Sequence, residues 1–122
     1  MDEERQELLD SIDECQRLVE ELGPALRASR RYHRTFRSRI ERGESVVDAL
    51  TAIPTGDLRR GMTQLMADIE AARHRVRRAT IALGLEEGMS IGELGRLWGF
   101  SRQLAARYAK EVRDVDGASK AS

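Results

Sequence analysis

The chain has 122 residues, enough for one compact domain with its own core. Only 4% of residues are aromatic and Cys15 is the single cysteine, so the core must be largely aliphatic and no internal disulfide can form. No apolar run approaches a membrane span, and the opening MDEERQELLD is acidic and polar, unlike a secretory or transit leader. The expectation is a soluble cytoplasmic protein. Arginine outnumbers lysine nineteen to two, the skew expected of a GC-rich bacterial genome.

The formal net charge is zero, but the charge is segregated. Residues 1–22 carry nine acids against Arg5 and Arg17, whereas residues 23–42 carry seven arginines against Glu41. Residues 44–70 are acidic again, and Arg73, Arg75, Arg77 and Arg78 make the next segment basic. Residues 96–113 hold five basic residues and one acid, Glu111. Local fields therefore say more about partners than the total does.

Taken in order, the first element places Leu8, Ile12, Cys15, Val19, Leu22 and Leu26 at steps of four and three, the seam of a coiled coil or helical hairpin. Gly23-Pro24 predicts a break or kink there, because proline lacks the backbone donor and disfavours helix in the residue before it. A second helix then carries Tyr32, Phe36 and Ile40 on one face and ends near Gly43. Its arginines, Arg27–Arg42, are expected to pack beside the acidic first helix; contact with phosphates is the other reading. Ser45 reads as an N-cap for a short helix through Val46, Leu50 and Ile53. Pro54-Thr55-Gly56 reads as a turn. The longest helix, about Leu58–Leu83, has a seam of Leu58, Met62, Leu65, Ile69, Ala72, Val76, Ala79 and Leu83, and Gly84 and Gly88 flank an acidic connection after it.

Two shorter helices follow. Ser90 with Glu93 makes a capping box, and Ile91, Leu94 and Leu97 or Trp98 give one apolar face. Gly99 suits a sharp turn, Phe100 can plug the space between the helices, Gly95 permits a close approach, and Ser101 caps the second helix. At 100° per residue, Leu104, Ala105, Tyr108, Ala109 and Val112 share one side of that helix. Arg102, Gln103, Ala106, Arg107, Lys110 and Arg113 share the other. A basic, amide-bearing helix face fits the major groove, where arginine reads guanine and glutamine reads adenine. Lys110 and Arg113, towards the far end, are better placed for phosphates.

Gly95, Gly99, Phe100, Ser101-Arg102-Gln103 and Arg107-Tyr108 together resemble the helix-turn-helix of bacterial transcription regulators, over residues 89–112. The tract is similar to the pattern I-x-E-L-A-x-L-x-G-V-S-R-Q-x-V-x-R-Y. It departs in having Gly95 where alanine is commoner, and Leu104-Ala105 where a polar and then a β-branched residue are usual. The resemblance implies base reading by Ser101, Arg102, Gln103, Ala106, Arg107 and Lys110, with Ser90 and Arg96 near phosphates.

The expected architecture is all-α: a helical bundle with coiled-coil-like N-terminal helices and a C-terminal helix-turn-helix without a wing. Residues 1–56 would serve dimerisation or partner binding, residues 57–114 DNA binding, and 115–122 would be a disordered tail. Cys15 lies on a seam, and His33 and His74 sit alone on charged faces with no ligand spacing. The chain has no phosphate-binding loop, nucleophile motif or metal-ligand cluster, so neither an enzyme, a cofactor nor a small-molecule ligand is expected. The expected partner is double-stranded DNA, bound by a homodimer in the nucleoid. The alternative is a protein–protein adaptor acting through its coiled-coil-like helices, with a structural C-terminal hairpin.

Overall fold

The computed structural model describes residues 2–121, with side chains over 2–114. Among the described residues there are five helices and no strand: α1 (Glu3–Glu41), α2 (Val46–Thr51), α3 (Thr55–Glu86), α4 (Ile91–Trp98) and α5 (Arg102–Ala121). The all-helical expectation holds. The disordered tail expected at 115–122 falls on residues whose side chains lie outside those described.

The first correction concerns Pro24, which does not break α1: the helix runs through it. Proline's fixed φ is itself helical, and its cost is the missing donor to the carbonyl four residues back. That carbonyl belongs to Glu20, and Glu20 and Pro24 are both exposed, so water can serve it. The acidic and arginine-rich segments are consequently two lengths of one helix, about 58 Å long at 1.5 Å per residue. Within one chain they cannot pack side by side as expected.

The punctuation is otherwise local. Gly43, at φ 89°, ends α1, with its N–H donating to Ile40 O and that of Glu44 to Arg39 O. The Ser45 hydroxyl accepts from Asp48 N at 3.1 Å and starts α2. Helix α3 begins at Thr55, inside the expected turn, because the Pro54 carbonyl already accepts from Leu58 N. Past its end at Glu86, Gly88 turns the chain at φ 91°, and Met89 N donates to Gly84 O. Gly84 is thus not a stop but a buried residue within α3. A Cβ there would stand 2.5 Å from a Leu94 methyl, so the glycine admits α4.

The chain forms two compact units. The first comprises residues Met1–Cys15 and Ala71–Ser122. Its core is Ile81, Leu94, Tyr108 and Ala109, against which Leu85, Met89, Ile91, Phe100 and Leu104 pack. The second half of α3 is buried on two sides. Ala72, Ala79 and Leu83 lie on the expected seam, and Ile81, 2% exposed, lies on the opposite side of the helix. The first turns of α1 join this unit through Arg75, whose guanidinium donates to both Glu7 carboxylate oxygens at 2.7 and 3.0 Å, and through Arg5 to Glu87 at 3.0 Å.

The second unit, Gln16–Glu70, holds the rest of α1, α2 and the first half of α3. Its buried hydrophobic residues, among those described, are Leu18 and Ala49. A groove of about 480 Å³ is lined by Ala25, Ser29 and Tyr32 from α1 and by Leu58 and Met62 from α3. Tyr32 stacks on Phe36 with centroids 5.9 Å apart.

Candidate nucleic-acid interface

The residues singled out from the sequence converge on α4, the turn after it and α5. Helix α4 starts in a complete capping box. The Ser90 hydroxyl accepts from Glu93 N at 3.1 Å, and the Glu93 carboxylate accepts from Ser90 N at 3.2 Å. Hydrogen bonding to the carboxylate from the Ser90 hydroxyl, and then from the Ser90 backbone N–H, holds the Glu93 carboxyl below its ordinary range. Gly99 ends α4 in the left-handed region, φ 84°, a conformation that a side chain disfavours. The Ser101 hydroxyl accepts from Leu104 N at 3.1 Å and starts α5. At Gly95 an added Cβ would meet the Ala105 Cβ at 3.2 Å, so the missing side chain lets α5 lie close.

Helix α5 divides sharply by exposure. Ala105, Tyr108 and Ala109 are buried, with Leu104 and Val112 half-buried. Ser101, Arg102, Gln103, Ala106, Arg107, Lys110 and Arg113 are all exposed. Among the described residues, Arg102, Arg107, Lys110 and Arg113 make no ion pair. Glu111, the one acid between Arg102 and Arg113, is turned away: its carboxylate meets His74 Nε2 at 2.9 Å. Asp114, exposed and four residues after Lys110, is the acid nearest these cations in the described part of α5.

Ser90, Arg96, Arg102 and Ala106 line one open cleft of about 620 Å³. Two of the residues assigned to phosphates and two of those assigned to bases therefore border a common space. Gln103, Arg107, Lys110 and Arg113 lie along α5 outside that lining.

Two residues that brace this unit, His74 and Arg77, do not follow from the sequence reading. His74, expected to sit alone on a charged face, packs its ring 4.9 Å from that of Tyr108 besides pairing with Glu111. Arg77 donates to the Tyr108 hydroxyl at 3.3 Å and lies 5.9 Å from the centroid of the Phe100 ring. Phe100 stacks between Tyr108 and Trp98, with centroids 5.5 Å apart on each side. The signal was in the spacing. His74, Ile81 and Leu85 step by seven and four along α3, off the main seam, and mark its second packed side. Two arginines of this helix are committed internally, Arg75 to Glu7 and Arg77 to the Tyr108 hydroxyl.

Two further departures concern apolar and acidic groups. Leu97, offered with Trp98 for the packed face of α4, is 79% exposed, and Trp98 is 41% exposed. Asp2, Glu4 and Glu86 bring carboxylate oxygens within 4.8 Å of one another. A hydrogen bond with Glu4 raises the Glu86 pKa, since one of the two carboxyls must hold a proton to donate.

No protein-family model, curated protein or solved structure matches this chain.

Proposed function

We propose that the chain is a DNA-binding protein, a bacterial transcription regulator or nucleoid-associated protein, whose α4–turn–α5 segment acts as a helix-turn-helix. The observation that carries this reading is the exposed face of α5, where Arg102, Gln103, Arg107, Lys110 and Arg113 stand around the small Ala106 and the four cations make no ion pair among the described residues. A helix of this width enters the major groove, and Ala106 leaves its axis room to approach the base edges. Arg102, Gln103 and Arg107 are the base readers, with Ser101 at the helix start. Arg96, Lys110 and Arg113 hold phosphates, and Ser90 sits at the rim of the same cleft. One such segment contacts few bases, so the working species is a homodimer that pairs two half-sites about 34 Å apart.

Fluorescence anisotropy with a pool of genomic duplex fragments tests this. Binding at low salt is expected, with log K falling by ~0.9 per phosphate contact for each unit of log salt. Arg102→Ala or Arg107→Ala should each cost about 1–3 kcal/mol against the selected site. Absence of binding at low salt, or wild-type affinity in both variants, defeats the proposal. The adaptor reading draws on one observation, the exposed Leu97 beside Trp98. A protein partner seated there would be lost in Leu97→Asp while DNA binding persists.

A further inference from the structure

We infer that a second copy of this chain covers the open face of the unit Gln16–Glu70, running antiparallel along α1 about the Gly23–Pro24 step. The inference deepens the homodimer of the proposed function, and rests on it, by assigning its surface.

The unit lacks a closed core. Leu26 is 55% exposed, and Val19, Ile40 and Met66 are exposed too. On α1 these residues are ordered: Val19, Leu26, His33 and Ile40 step by seven, the spacing of a seam shared by two helices. Leu26 lies three residues before Ser29 and seven before His33, and both of those line the groove beside α3. The exposed line is therefore the lip of an apolar groove.

The charges select the occupant. One position after Ile12, Val19, Leu26 and His33 stand Asp13, Glu20, Arg27 and Arg34, two acids and then two bases at the same seven-residue step. All four are exposed, and none makes an ion pair with another described residue. A two-fold axis between Gly23 and Pro24 sets Asp13 opposite the second copy's residue 34 and Glu20 opposite its residue 27. Acid then meets base at all four places. Parallel pairing would set like against like. An apolar small molecule would fill the groove but would leave both the seven-residue line and its antisymmetric charges without a role. The same two-fold sets the exposed Val19 opposite the second copy's residue 28, a position that lines the groove.

Sedimentation equilibrium of the full chain without DNA tests the inference. Because no DNA is present, its outcome is separate from that of the anisotropy experiment. A mass of twice the 13.8 kDa chain is expected at micromolar concentration. Glu20→Arg and Arg27→Glu should each raise the dimer dissociation constant by about tenfold or more. The double variant should restore it, since it exchanges the signs without changing the pairing. Leu26→Asp should give monomer, with circular dichroism showing that the helices remain. A monomeric wild type, single variants that dimerise normally, or a double variant weaker than either single would each overturn it. So would a monomer whose groove takes up the apolar dye ANS, which would assign the groove to a small ligand.

Discussion

The two units are built from the same long helices yet end differently. Around Ile81, three helices meet, and the side chain is 2% exposed. Around α2, Val47 is 72% exposed and no third long helix closes the layer. Both lengths carry apolar residues at helical spacing, so pattern alone does not make a core. A core needs a further element to cover the second side, which α4 and α5 provide for the first unit. The comparison teaches that a helical stripe states a demand for a partner without saying where the partner comes from.

The largest test of this contrast is truncation. Ile81→Ala should cost about 2–5 kcal/mol in urea denaturation. Val47→Ala should stay within about 0.5 kcal/mol. Equal costs would break the comparison. Glycines offer a second test of smaller size. Gly84→Ala places a Cβ 2.5 Å from Leu94, and the overpacking should cost about 1–3 kcal/mol. Gly61 sits within α3 with nothing within 4 Å of an added Cβ, so Gly61→Ala should stabilise by up to about 1 kcal/mol. A stabilising Gly84→Ala would mean that α4 does not lie closely on α3.

The smallest effect is that of pH. The Arg75 hydrogen bond lowers the Glu7 pKa below its ordinary value, and the Ser90 cap does the same for Glu93. The folded state then binds fewer protons than the unfolded one. Both contributions are present above the ordinary carboxylate pKa and are lost as pH falls through the lowered one. Glu86 has the opposite sign: its raised pKa favours folding at acid pH, and the contribution is lost as pH rises through the raised value. Glu7 and Glu93 are exposed, so the net effect should be small. Glu7→Gln should flatten the fall of Tm on the acid side, and an unchanged slope would remove the Arg75 pair from the account.

Legibility in the sequence followed the range of the interaction. The caps at Ser45, Ser90 and Ser101 and the turn at Gly99 are settled within four residues, and each was readable. So was the exposure pattern of α5, because a 3.6-residue period is local. Pro24 misled because its local cost is real, and only the turns on either side of it decide that the helix continues. The Arg75–Glu7 pair spans 68 residues and leaves no local mark. Ile81 is not legible from the main seam of α3, because the helix packs on two sides. The functional assignment of Arg102, Gln103 and Arg107 rests on their chemistry and exposure, which the sequence and the fold express in the same terms.

Pro24 has a mechanical consequence as well. A helix is stiff because each rung of its ladder ties one turn to the next, and α1 lacks the rung from residue 24 to Glu20. Bending strain applied to this rod concentrates where the rung is missing, as it does at prolines in helices generally. α1 is therefore a rod with one compliant joint, set in its exposed stretch near mid-length.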